Sequence, residues 1–283
     1  MATFTNQATL SYNGNIITSN IATGELIEVL SATKTAVLDT YSQESEITYV
    51  ITILNSGTVP YTGLTLTDDL GAYPFGALTL TPLTFIPGAL QYYINGTLQP
   101  APAFTAGPPL VISNLTVPAG GVATIIYVVR ANQYAPLDLA GVITNVAIIS
   151  SNGEALITAT ENVSPESGAN LTITKTVCPT TVTENGQLTY TFTIQNTGNT
   201  PIVATDNVTI TDTFNPILIG LSVNFNGAPW ATPANYSYSQ VTGLFTTVAG
   251  QITVPAATFT QDATTGVWIV TPGVSVLTVT GTV

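Results

Sequence analysis

The sequence predicts an all-β chain of tandem antiparallel sandwiches, on three observations. Apolar and polar residues alternate in short runs, such as Ile47-Thr48-Tyr49-Val50-Ile51-Thr52-Ile53, and no segment carries a 3.6-residue period. Those runs are rich in Thr, Ile and Val and are punctuated by Gly, Pro, Asn and Asp, the chemistry of strands and their turns. Blocks of sequence also recur in a fixed order. Thr33-Lys34-Thr35 matches Thr174-Lys175-Thr176, and Leu54-Asn55-Ser56-Gly57 matches Gln195-Asn196-Thr197-Gly198; 175 − 34 and 196 − 55 both give 141. Leu64-Thr65-Leu66-Thr67-Asp68 then matches Val208-Thr209-Ile210-Thr211-Asp212, and Val117-Pro118-Ala119-Gly120-Gly121 matches Val270-Thr271-Pro272-Gly273. Coincidence at four ordered blocks is a poor explanation, so the chain contains two copies of one repeat.

Taken in order, the chain opens on residues 1–24, a strand and a linker. The first repeat domain follows at 25–160 and the second at 161–283. The first repeat finishes on Val142-Ile143-Thr144-Asn145-Val146-Ala147-Ile148-Ile149, a strand the second repeat does not reach. Its counterpart is at the front of the chain, Thr3-Phe4-Thr5-Asn6-Gln7-Ala8-Thr9-Leu10, which shares Thr-Asn-x-Ala (145 − 6 = 139) and is followed by Asn13-Gly14 as the other is by Asn152-Gly153. The repeat is therefore cut one strand out of phase. The second domain is expected to lack its last strand, and the N-terminal strand to carry Phe4, Ala8, Leu10 and Tyr12 on one face without a sheet to join. Residues 13–24 reach at most about 40 Å when extended, too short to bridge two sandwiches laid end to end. The N-terminal strand is thus expected to complete the second domain of a neighbouring copy, a head-to-tail contact that propagates into a homopolymer.

Composition bounds the function. Three basic against fifteen acidic residues give a net charge of −12, which disfavours nucleic acid and anionic membranes as partners. The longest apolar run, near Val122 to Val129, is far short of a membrane span, so no membrane insertion is expected. No histidine is present, so zinc sites and histidine-dependent triads are excluded or nearly so, and no metal or cofactor is expected. The single cysteine, Cys178, cannot form a disulfide within the chain. No signal peptide is recognisable at the start.

The chemistry lies in three polar residues per repeat that break an inward-facing apolar pattern. Lys34 is in phase with Leu30, Ala32 and Ala36, and Lys175 with Leu171, Ile173 and Val177. Asp68 follows Leu64 and Leu66, and Asp212 follows Val208 and Ile210. Asn145 sits among Ile143, Ala147 and Ile149, as Asn6 does among Phe4, Ala8 and Leu10. A lysine, an aspartate and an asparagine facing one core are the set an intramolecular isopeptide bond needs. Burial favours the neutral, nucleophilic amine, and the carboxyl group assists by polarising the amide and shuttling protons. The expected bonds are Lys34–Asn145 within the first domain, assisted by Asp68, and Lys175 to Asn6 of a neighbour, assisted by Asp212. Apart from this autocatalytic step no enzyme activity is expected. Other readings stay open. The lysines can snorkel to solvent, Asp68 and Asp212 can cap turns, and Asn6 and Asn145 can satisfy strand-end backbone groups. Asn55 and Asn196 also face inward as alternative acceptors, although the Gly that follows each suits a turn. A surface adhesin or carbohydrate-binding module is the alternative function, with Trp230, Tyr236 and Tyr238 in an exposed loop.

The order Lys-Thr, Thr-Tyr-x-Ile/Phe-x-Ile-x-Asn-Ser/Thr-Gly, Thr-Asp and Thr-Asn-x-Ala resembles the conserved repeat domain of bacterial surface proteins known as domain of unknown function eleven. The resemblance implies immunoglobulin-like sandwiches in extracellular structural proteins. In layout the chain is further similar to fibre subunits of clostridial endospore appendages. That likeness implies a spore-surface location reached by mother-cell lysis, with other spore-surface proteins as further partners. The segments near 71–108 and 221–265 exceed a minimal sandwich and have no assigned role at this stage.

Overall fold

The computed structural model describes residues 2–283. The protein is all-β. Its strand pairs run antiparallel, and the single helical element among the described residues is a 3-10 turn at Ala204–Asp206. The chain divides into two compact units, one of residues up to Asn132 with Ile143–Val163, the other of Gln133–Val142 with Ser164–Val283.

The first unit is a sandwich of two sheets. One runs Thr97–Leu98, Gln91–Ile94, Val122–Ala131, Glu46–Asn55, Leu30–Ala36, with Leu83–Phe85 also paired to Val122–Ala131. The other runs Phe104–Thr105, Leu110–Val117, Tyr61–Asp68, Ile143–Ser151, Glu154–Pro165, Thr40–Tyr41. Period-two alternation decides what lies between them: Tyr49, Ile51 and Ile53 from one sheet and Leu64, Leu66 and Ile149 from the other are fully buried.

The second unit repeats the first sheet's design. Leu171–Cys178, Gln187–Asn196, Gly273–Thr282, Ile219–Phe225 and Ala228–Trp230 form five adjacent strands. Its other layer is smaller, with Thr211–Thr213, Leu244–Thr247 and Tyr236–Tyr238 in one sheet and Thr258–Gln261 paired to Trp268–Thr271. Among its described residues none forms the counterpart of Ile143–Ser151 or Glu154–Pro165. The effect is visible on the outer strand. Leu30–Ala36 alternates in burial, whereas Leu171–Cys178 is exposed at every residue but Val177, and Ile173 is 54% exposed.

The N-terminal segment departs from the expected strand and linker. Ala2–Asn6 pairs with Ala22–Leu26, and Thr9–Tyr12 pairs with Asn15–Thr18, so residues 13–24 are the turn and return arm of a hairpin. The physical reason is the Asn13-Gly14 turn, whose φ values of 48° and 77° match the twist that a two-residue hairpin requires. The hairpin pairs only with itself and leaves its apolar face open, with Phe4 58%, Leu10 62% and Tyr12 70% exposed.

The two long segments without an assigned role prove to be repeat elements as well. Gln91–Ile94 turns through Asn95-Gly96 into Thr97–Leu98, and Ile219–Phe225 turns through Asn226-Gly227 into Ala228–Trp230. Each asparagine Oδ1 accepts the backbone N–H of the neighbouring long strand, from Val122 and Val276, both at 2.8 Å.

Candidate functional site: lysine, aspartate and asparagine between the sheets

The first-unit site is built from three strands. Lys34 comes from the outer strand of one sheet, while Asp68 and Asn145 come from adjacent strands of the facing sheet, where Asp68 pairs with Ala147, two residues beyond Asn145. All three are buried. Lys34 Nζ donates to Asp68 Oδ2 at 2.6 Å with neither side chain exposed. Tyr127 donates its hydroxyl to the same oxygen, and the Leu70 backbone N–H reaches Asp68 Oδ1 at 2.9 Å. Tyr49 stacks beside Tyr127 with ring centroids 5.7 Å apart, and Lys34 Nζ lies 4.8 Å from the Tyr49 centroid.

Asn145 is the anomaly. Both polar atoms of its carboxamide are buried without a well-formed hydrogen bond, although it lies beside the Tyr49 and Tyr127 hydroxyls. An unsatisfied buried amide costs about 1–3 kcal/mol. Burial lowers the Lys34 pKa below its ordinary 10.5, against the attraction of Asp68. Burial raises both phenols, and the Asp68 charge adds to the rise at each; Tyr127 donates its hydroxyl to Asp68, whereas the buried Tyr49 hydroxyl has no well-formed hydrogen bond. The site thus combines an amine pushed toward its neutral form, a carboxyl group fixed by three donors and a buried amide without a well-formed hydrogen bond.

Asn55 and Asn196, the alternative acceptors, are satisfied turn residues. Asn55 donates to the Val59 and Pro118 carbonyls and accepts from the Gly57 N–H. Asn196 does the same with Thr200, Pro255 and Gly198.

The second-unit site is the same design left open. Lys175 and Asp212 form an ion pair, with side chains 38% and 19% exposed. Lys175 Nζ lies 4.4 Å from the Tyr190 centroid and 5.4 Å from that of Phe214, which stacks on Tyr190. The second unit itself places no asparagine at the Asn145 position. Lys175 faces a layer that this unit leaves incomplete, and its exposure follows from the two counterpart strands this unit does not form. Asn6, on the exposed hairpin, shares a register with Asn145. Asn6 pairs with Ala22 and Asn145 with Glu161, both pairs displaced by 139 (145 − 6; 161 − 22).

Sequence reasoning missed Tyr127, which looks like any inward aromatic among Ile125 and Val129; the second unit has Val279 at that register. It also misplaced the aromatic platform. Tyr236 is buried, Tyr238 exchanges hydrogen bonds with the Leu218 backbone, and Trp230 stacks on Phe225 at 4.9 Å. These rings belong to strands and their packing, so the exposed ligand-binding loop is not there.

No family model matches the chain, and no curated protein does. Two solved structures of pilus proteins are similar to it. The pilus backbone protein RrgB of Streptococcus pneumoniae is 12% identical with a TM-score of 0.35, over 86% of this chain and 55% of that one. BcpA, the major pilin subunit of Bacillus cereus, is 12% identical with a TM-score of 0.34, over 96% of this chain and 73% of that one. The chain spans 55% of that RrgB structure and 40% of a full-length RrgB structure.

Proposed function

We propose that this protein is a structural fibre subunit that assembles head-to-tail, its N-terminal segment completing the second unit of the next copy, with Lys–Asn isopeptide bonds inside and between subunits. The observation that carries the reading is the pairing of one closed and one open site. Lys34, Asp68 and Asn145 are buried in the first unit, while in the second Lys175 is exposed, its partner Asp212 is half-buried, and the matching Asn6 is on an exposed hairpin.

The chemistry balances without a co-reactant. In a low-dielectric site the Lys34 ammonium passes a proton to Asp68, leaving a neutral amine and a carboxylic acid. The amine attacks Cγ of Asn145 while the acid polarises its carbonyl. As the new C–N bond forms, the attacking nitrogen gives up a proton to the departing amide nitrogen, which leaves as ammonia and carries off the Asp68 proton as ammonium, restoring the carboxylate. Lys175, Asp212 and the Asn6 of a neighbour follow the same steps. A location on a bacterial or spore surface belongs to this reading and fits a permanent, energy-free linkage.

Intact mass and a boiled denaturing gel test it together. Each bond removes about 17 Da, one ammonia. The expected result is a ladder of species that survives boiling, with the first-unit bond present in every rung. Monomer of full mass, isolated from native filaments, would contradict the covalent joint.

A further inference from the structure

We infer that the donated element is the whole N-terminal hairpin, residues 2–12 and 15–26 entering a neighbouring copy's second unit as two adjacent strands. This rests on the head-to-tail reading and specifies what is exchanged.

The first unit shows what a hairpin does in that position. Ile143–Ser151 and Glu154–Pro165 are joined through Asn152-Gly153, with φ of 49° and 86°, as the N-terminal arms are joined through Asn13-Gly14. The return arm there is not ornamental. It buries Ala159 and Val163, pairs with Thr40–Tyr41, and its Glu161 Oε1 accepts the Ala36 N–H of the lysine strand at 3.2 Å. It therefore closes the sandwich beside the lysine. The second unit offers the same vacancies: an exposed lysine strand and, at the register of Tyr41, a half-buried Val182 that lies outside any strand and packs at the margin of the core.

Both N-terminal arms carry apolar residues that nothing covers, including Ile16, Ile17, Ile21 and Leu26 on the return arm. The arms also vary together. Where the first unit pairs Ile143 with Val163, the N-terminal hairpin pairs Phe4 with Gly24, and a Cβ on Gly24 would strike the Phe4 ring. One large side chain over none replaces two of middle size, the compensation expected of arms packed into one slot. Glu161 is replaced by Ala22, so the joint lacks that carboxylate tether to the lysine strand.

The test is competition against full-length chain by synthetic peptides of residues 2–12 and residues 2–26. The hairpin peptide should shorten filaments and become attached at Lys175 with loss of ammonia. It should act at roughly tenfold lower concentration than the single strand, reflecting the second arm's extra buried surface. Equal potency of the two peptides overturns the two-strand donor and leaves head-to-tail assembly standing. If full-length chain alone stays monomeric, the assembly reading itself fails. Hydrogen exchange on assembled full-length chain reads the same point without peptides. Return-arm amides should be protected as strongly as those of the first arm, and free exchange across 15–26 overturns the inference.

Discussion

At the scale of single residues, the proposed isopeptide chemistry turns on Asn145. A buried carboxamide without a good partner is a defect in a finished core and a reactant in an unfinished one. Asn145→Ala removes the acceptor while leaving the Lys34–Asp68 pair intact, so the first-unit mass loss should disappear. That unbonded variant should also show a particular pH dependence. Burial lowers the Lys34 pKa in the folded chain below its unfolded 10.5. Between those two values the unfolded chain holds more protons, so stability rises with pH up to 10.5 and falls as pH drops through the folded value. Urea melts of Asn145→Ala at rising alkaline pH, compared with Lys34→Met in the same background, should isolate this slope. A Lys34-dependent slope of the opposite sign would contradict the placement of the amine.

At the scale of elements, the matter is which strands are covered. Ile173 faces the same way as Lys175 and is more than half exposed, although its first-unit counterpart strand is covered by the facing sheet. Ile173→Asp should therefore cost the single chain little, within about 0.5 kcal/mol for an exposed site. Assembly would bury that carboxylate without a partner, which is far more costly. Thermal melting should be nearly unchanged while filaments fail to form on electron micrographs. Normal filaments from this variant would show that the lysine strand stays uncovered.

The same scale explains what could be read from the sequence. The paired Lys, Asp and Asn positions were legible because strands alternate strictly, so one polar residue in an apolar phase stands out, and the repeat showed each twice. The return arm 15–26 was not legible, because its alternation is short and is broken at Ser19-Asn20 where the two arms shift register. The Asn95-Gly96 and Asn226-Gly227 hairpins carried a usable signal that flanking irregularity concealed. Tyr127 gave no signal, since a buried aromatic on a core strand is ordinary and its hydroxyl partner lies in the other sheet.

At the scale of the whole molecule, a net charge of −12 means that copies would repel one another in the proposed head-to-tail assembly. Repulsion of this kind is screened with a Debye length of about 10 Å at 0.1 M salt. A noncovalent joint, isolated with Asn6→Ala, should therefore strengthen as salt rises from low to physiological levels, as read by sedimentation. Weakening with salt would instead mean that attractive ion pairs dominate the contact. The proposed covalent joint would not share this sensitivity, because an amide does not respond to screening.

The central claim is that Lys175 of one chain becomes bonded to Asn6 of another. Mass spectrometry of protease fragments from boiled assemblies tests it most directly. The account predicts a branched peptide joining the Lys175 and Asn6 segments, lighter by one ammonia than their sum and absent from both Lys175→Arg and Asn6→Ala. Assemblies that yield only linear, full-mass peptides at both residues would contradict it.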